Sequence, residues 1–285
     1  MASNPPRTVL HSWCQARVSC SPAAEALAVA PKPRAPICEI QAFEPGSDAK
    51  QGLDVSEREP TGKTIRVGQY ETYVAEPKGK KHDGVALLYI QDIFGIWQNS
   101  QLMADQFAAN GYHTIIIDVF NGDRFPNPPP QDIMKWLAEG TDGNNPHTVE
   151  AVDSIVEEGL KYLKEQGFTK IGAVGYCFGA KYVVRHYKDG IKVGYLAHPS
   201  FVDEDELAAI TGPLSIAAAE TDQIFPTEKR HQSEEILRKV GQPYQINLFS
   251  GVSHGFAVRG DLSVKIEKWS KEQAFYQAVA WFDQL

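Results

Sequence analysis

The chain of 285 residues is 42% hydrophobic and 22% charged, with 36 acidic against 28 basic residues and a formal net charge of −8. That balance allows a sizeable core and argues against a general nucleic-acid binder, which needs a basic face. No apolar run approaches the roughly 18 residues of a membrane span, and four cysteines without regular pairing or CxxC spacing suggest neither a disulfide framework nor a zinc site, but a reducing compartment.

Residues 1–60 differ from the rest. They hold eight of the 18 prolines and three of the four cysteines, Cys14, Cys20 and Cys38. The stretch 21–36 has neither helical nor strand periodicity, so residues 1–60 read as a poorly ordered extension before a domain at 61–285. Arg7 and Arg17, with Glu25 as the one acid before Glu39, suggest a mitochondrial address. Six prolines between positions 5 and 36 interrupt the amphipathic helix such an address needs, so a cytoplasmic location is the expectation.

From residue 64 the pattern becomes rhythmic. Residues 64–76 alternate around Gly68 and predict a hairpin. The apolar run 84–90 predicts a strand buried on both faces, and 99–110 a helix stopped by Gly111. A second buried strand follows at 114–119. Prolines at 126–130 mark a long loop inside a loop-and-helix insertion, 121–147. Helices are expected at 148–166, 180–187, 203–210, 227–240 and 266–285, and strands at 171–176, 193–197, 214–219 and 244–249. Trp269, Phe275 and Trp281 are the expected core aromatics of the last helix. Strands alternating with helices imply an α/β fold, with a mostly parallel sheet covered on both faces. Ligands then bind beyond the carboxyl ends of the strands.

Three strand ends carry chemistry. The first is Gly175-Tyr176-Cys177-Phe178-Gly179, a G-x-C-x-G string between a strand and a helix. It has the context of a nucleophile elbow with cysteine in place of serine, and the tight turn demands the two glycines. Cys177 is the candidate nucleophile, favoured as a thiolate by the following helix N-terminus, and the Phe178 N–H is one oxyanion donor. A small packing cysteine is the plain alternative. The second is the ETDQIFP loop at 220–226, where Glu220 and Asp222 compete to orient a histidine. Asp222 lies deeper in the loop, and Thr227 is the expected cap of the next helix. The third is Ser253-His254-Gly255, after the last strand. The order nucleophile, acid, histidine is that of α/β-hydrolases. His254 would take the Cys177 proton, Asp222 would orient the imidazole, and a thioester acyl-enzyme would form and hydrolyse without metal or organic cofactor.

These segments resemble the dienelactone hydrolase family of α/β-hydrolases. The resemblance spans about residues 60–285 and rests on QDIFG (91–95), GYCFGA (175–180), the ETD…P loop and SHGF (253–256). HPS at 198–200 and HGFAVRGD at 254–261 look most like its fungal branch. The resemblance implies a Cys177–Asp222–His254 triad, a second oxyanion N–H at Ile93, and an accessory acid, normally Glu, that holds the resting thiol. Asp92 stands in that place, one methylene shorter. The resemblance also implies arginines for a substrate carboxylate. Val258 sits four residues after the histidine, Arg259 one place later, and no second arginine can be matched, which argues against a carboxylate-bearing dienelactone as substrate. Trp97, Trp136 and His198 are further candidate pocket residues, each with a plain packing role as its alternative. The stretch between MASNPP and EPTGK matches nothing in the family and reads as a retained intron or a gene-model error, which native peptides from residues 10–50 would refute.

The expected function is a cysteine hydrolase of small lactones, esters or thioesters, acting as a monomer or homodimer, with no nucleic-acid or membrane partner. The alternatives are a polyketide-processing hydrolase of secondary metabolism using the same residues, or a non-catalytic binding or redox-sensing protein on the same fold.

Overall fold

The computed structural model describes residues 59–126 and 132–283. The extension expected over 1–60, apart from its last two residues, and prolines 128–130 lie outside the described residues. The eight strands form one sheet in the order β1-β2-β4-β3-β5-β6-β7-β8. β1 (Lys63–Val67) and β2 (Tyr70–Ala75) are the expected hairpin, and β2 pairs antiparallel with β4 (His113–Ile117). β3 (Val85–Ile90), β4, β5 (Lys170–Tyr176), β6 (Ile191–Ala197), β7 (Leu214–Thr221) and β8 (Tyr244–Ser253) run parallel. All six residues of β3 are buried, as a central strand covered on both faces requires.

Each face of the sheet has its own apolar layer. On one, α1 (Gln98–Ala109) and α8 (Lys265–Phe282) bring Met103, Phe107, Phe275 and Phe282 against Leu87, Tyr89 and Ile116. On the other, α3 (Val149–Glu165), α4 (Gly179–Arg185), α5 (Glu204–Ala208) and α6 (Thr227–Val240) supply Val152, Ile155, Leu160, Val183, Leu207 and Leu237. Helix α3 follows directly from its sequence. Its apolar residues recur at helical spacing, Thr148 caps its first turn through the Ala151 N–H, and Lys164 sits in its last turn, where the helix dipole favours a cation.

The helix expected in the insertion is α2 (Ile133–Glu139), capped by Asp132. Four expectations change. A short helix, α7 (Phe256–Arg259), follows His254. Strand β8 does not end at 249 but runs on to Ser253 through a register shift opposite Ala219 and Thr221. Pro226, not Thr227, holds the cap position of α6, and Thr227 is the first helical residue. Trp269 is not a core aromatic: it is 51% exposed, while Phe275 and Trp281 are buried. Six residues separate Trp269 from Phe275, about two thirds of a turn out of phase at roughly 3.6 residues per turn. Trp269 rests against Phe249 of the edge strand instead.

Candidate active site

Strand β5 ends in a turn so tight that side chains are excluded on both sides of it. A Cβ on Gly175 would lie 2.7 Å from the Gly179 carbonyl oxygen, and one on Gly179 would collide with the Ile90 carbonyl. Between them Cys177 has φ 51°, a left-handed conformation that costs a non-glycine residue free energy. Its N–H donates to the Ala197 carbonyl at 3.1 Å, and its own carbonyl accepts from Ala180 and Ser200 at 3.2 and 3.0 Å. The strained residue is therefore held from both sides, with only 5% of its surface exposed.

The sulfur faces His254. Nε2 of His254 lies 3.2 Å from Sγ, and Nδ1 lies 2.8 Å from Oδ2 of Asp222. The His254 N–H donates to the Thr221 carbonyl at 3.1 Å, which ties the histidine loop to the end of β7. The two competing acids have different partners. Oδ1 of Asp222 accepts the N–H groups of Ile224 and Phe225, each at 2.9 Å, and its other oxygen meets the imidazole. Glu220 points along the sheet edge and accepts the Gly251 N–H at 2.7 Å. Burial pushes the Asp222 carboxyl up, but the His254 hydrogen bond and the two backbone N–H groups outweigh it and hold it below the usual carboxylate range. Burial pushes the His254 imidazole down. The Asp222 and Cys177 contacts win, and its pKa rises to about 9. The surroundings of the ring thus favour its protonated form beside the sulfur.

Asp92 sits just beyond β3, 1% exposed. Oδ1 accepts the Phe94 N–H at 3.0 Å, and Oδ2 has no hydrogen-bond partner among the described residues. The Trp97 indole N–H lies near enough to favour the carboxylate but closes no hydrogen bond of normal geometry with it. Burial raises the Asp92 pKa to about 6 against the opposing pull of Arg259. Asp92 makes no hydrogen bond to Cys177. The second contact of the sulfur is instead Ser200, whose Oγ is 3.3 Å away. Among the described residues, neither the Phe178 nor the Ile93 N–H donates to a backbone acceptor in the turns and loops.

A cavity of about 630 Å³ lies beside this cluster, lined by Phe94, Trp97, Arg124, Phe125 and Arg259 among others. The Arg259 guanidinium stacks 4.8 Å from the Phe94 ring centre. Among the described residues neither Arg124 nor Arg259 pairs with a carboxylate. Trp97 and Arg259 thus stand on the cavity wall. Trp136 does not: it is buried behind the wall against Phe120, Phe125 and His147. His198 is fully buried, 5.0 Å ring to ring from His254, with no partner for either nitrogen among the described residues. Burial, reinforced by His254 and Arg259, holds it neutral.

Arg124, Phe125 and Ser200 were missed in the sequence. The strand-end rule applied to β4 points to the NGDRFP loop, and the HPS string reads as a branch marker in which His198 alone is a pocket candidate. The one group of metal-type side chains among the described residues, Glu157, His186 and Asp189, contains none of the residues named above. Both His186 ring nitrogens there are already engaged by Asp189 and Asp153.

An elbow residue, a carboxylate and a histidine at the carboxyl ends of β5, β7 and β8 of such a sheet define an α/β-hydrolase. The profile of the dienelactone hydrolase family matches residues 70–285, and the chain belongs to that family. It is a hydrolase of the ester and lactone type. It is 50% identical over 232 residues to the hydrolase tropI of Talaromyces stipitatus, covering 79% of this chain and 91% of the relative. Hydrolase pyvD of Aspergillus violaceofuscus is 46% identical (84% and 97% covered), and dienlactone hydrolase 1 of Gibberella moniliformis 36% (81% and 90%). Among solved structures, a putative dienelactone hydrolase from Klebsiella pneumoniae superposes with a TM-score of 0.66 at 17% identity, covering 79% of this chain and 99% of that one. Among the described residues no helix is long and apolar enough to cross a membrane.

Proposed function

We propose that the protein is a cysteine hydrolase in which Cys177 attacks the carbonyl carbon of a small lactone, ester or thioester. The observation that carries this reading is the hydrogen-bonded line from the Cys177 sulfur through both nitrogens of His254 to Asp222. In the first half-reaction the sulfur anion adds to the carbonyl, and its oxygen becomes an oxyanion in reach of the Phe178 and Ile93 N–H groups. The tetrahedral adduct collapses, the C–O or C–S bond to the leaving group breaks, and the His254 imidazolium gives that group its proton. A thioester remains on Cys177. In the second half-reaction His254, now neutral, takes a proton from water, the hydroxide adds to the thioester, and the acid leaves. The sulfur departs as the anion beside a newly protonated His254. Asp222 holds the ring in the tautomer this cycle needs.

The cavity wall suggests the substrate class. Three aromatic rings and two guanidiniums without carboxylate partners, against the one carboxylate of Asp123 that Thr141 and His147 already engage, fit a flat, unsaturated acyl group that carries a carboxylate or an enolate. The test is a burst assay with p-nitrophenyl acetate on wild type and Cys177→Ala, each with and without iodoacetamide, followed by a series of lactones with and without a carboxylate. Turnover that both the mutation and alkylation abolish supports the reading. Turnover that survives in Cys177→Ala refutes it.

A further inference from the structure

The sulfur of Cys177 has two polar neighbours, and the triad accounts for only one. The other is Ser200 Oγ at 3.3 Å, in a side chain with 1% exposure. Among the described residues that hydroxyl has no second partner. Its position is not an accident of a mobile loop. Strand β6 ends at Ala197, and the turn that follows is strained at both shoulders, with φ 38° at His198 and 59° at Phe201. The turn is clamped to its neighbours by three bonds. The His198 N–H donates to the Ala217 carbonyl at 2.8 Å, the Ser200 N–H to the Cys177 carbonyl at 3.0 Å, and Lys181 Nζ to the Phe201 carbonyl at 3.0 Å. Two left-handed residues and Pro199 spend conformational freedom to bring one small hydroxyl to the elbow. Backbone strain of this kind persists where the surroundings over-determine it, and the group it aims is the serine oxygen.

We propose that Ser200 is a catalytic residue, its O–H donating a hydrogen bond to the Cys177 sulfur anion so that the nucleophile rests on two donors, His254 Nε2–H on one side and Ser200 Oγ–H on the other. The inference rests on reading Cys177 as the nucleophile. A thiol has only one weak hydrogen to give, and the neutral sulfur is a weak acceptor, whereas the anion accepts well from both groups. The second donor also fills a vacancy in the chemistry: Asp92 forms no hydrogen bond to the sulfur, so the group that holds the resting nucleophile here is a hydroxyl rather than an acid. The same bond has a consequence for rate. A donor that stabilises the anion makes more of it and makes it less reactive, because thiolate nucleophilicity falls as the anion becomes more stable. No covalent bond to Ser200 forms at any step. Its proton stays on its own oxygen throughout, and the bond re-forms when the acid product leaves.

The test reads the sulfur directly. Alkylation of the full-length chain by iodoacetamide is followed on the Cys177 peptide by mass spectrometry, because Cys14, Cys20 and Cys38 also react. Rates are taken from low to high pH for wild type, Ser200→Ala and Ser200→Thr. The other charged or titratable groups around the pair are His254 and Arg259 beyond β8, Asp222 beyond β7, Asp92 beyond β3, His198 in the same turn and Lys181 on α4, and none of these is changed. Loss of a hydrogen bond to a charged group should raise the midpoint of the rate profile by about one unit. With a Brønsted slope of about 0.4–0.5, the plateau rate should then rise about threefold and the rate well below both midpoints fall about threefold. Threonine, which keeps the hydroxyl, should return the midpoint towards wild type. An unchanged midpoint overturns the proposal, as does a loss by one common factor at every pH, which is what a merely structural role produces. Ser200→Gly, which also lacks the oxygen, replaces the alanine variant if that chain does not fold. The result does not depend on ester hydrolysis: if Cys177→Ala keeps its turnover, the function proposed above fails while the alkylation profile still reports the bond.

Discussion

Helix α4 separates two polar regions built in opposite ways. At its N-terminal end, around the elbow, buried polar atoms have no partner among the described residues: Oδ2 of Asp92, the side-chain amide of Gln91, the Tyr176 hydroxyl and both ring nitrogens of His198. Along its body and at its C-terminal end every charge is answered. Lys181 pairs with Asp203 and Glu206, Arg185 with Glu206 and Asp153, and His186 with Asp153 and Asp189. This network joins α3, α4 and α5. A buried polar group without a partner costs free energy. That cost is carried around the elbow and is absent where the helix is anchored. The proposed site and the partly exposed anchor thus differ in how their polar groups are partnered.

Substitutions at the two regions should therefore have opposite signatures. Cys177→Ala should lower ester turnover by at least about 10³-fold, with little change in the thermal midpoint, because the residue gives up strain as well as a contact. Asp222→Asn should lower kcat/KM by about 10²- to 10⁴-fold through the wrong imidazole tautomer. Glu206→Ala should do the reverse. It leaves Lys181 and Arg185 each with one carboxylate fewer, and should cost about 2–4 kcal/mol in urea unfolding, less than a fully buried pair because the site is partly exposed. Its kcat/KM per folded molecule should match wild type. A catalytic defect in Glu206→Ala as large as its stability defect would erase the distinction between the two regions.

The pH dependences sharpen the same comparison with smaller effects. The His254 pKa is raised to about 9, so its protonated form stabilises the folded chain. That contribution is fully present below the unfolded value of about 6.5 and is lost as pH passes 9. The alkaline limb of kcat/KM for ester substrates should fall in the same range, as the leaving group loses its proton donor. The acid limb should carry a component near pH 6 from Asp92, and Asp92→Asn should remove that component while changing the maximum only severalfold. Both limbs are measured in one pH series on each variant.

The elbow was legible in the sequence because its constraint is local. Two glycines flank one nucleophile between an apolar strand and a helix, and no distant residue is needed to see it. The order of Asp222 and His254 was legible for a related reason: parallel strands put their loops on one side. Choosing Asp222 over Glu220 needed only depth in the loop, and the partners of the two acids differ accordingly. What stayed hidden depends on packing between segments far apart in the chain. Ser200 reaches the sulfur from the next strand end. Arg124 and Arg259 line one wall from positions 135 residues apart, and nothing in either local sequence announces the other. For Trp136 the packing alternative holds, since the core cluster buries it, whereas Trp269, expected in the core, falls on the outer face of its helix.

The placement of His254 at the end of the outermost strand also sets a timetable for synthesis. The histidine follows the cysteine by 77 residues. At about 5–20 residues per second the ribosome takes on the order of 4–15 s to cover that distance. During this interval the elbow strand is already translated, but the strand that delivers the imidazole does not yet exist. On the proposed mechanism the nascent chain thus carries an ordinary cysteine, and the reactive one arises only when β8 closes the sheet edge. On the same mechanism any truncation upstream of β8 leaves a thiol without the cation that would arm it, and incomplete chains should carry no hydrolase activity to misdirect.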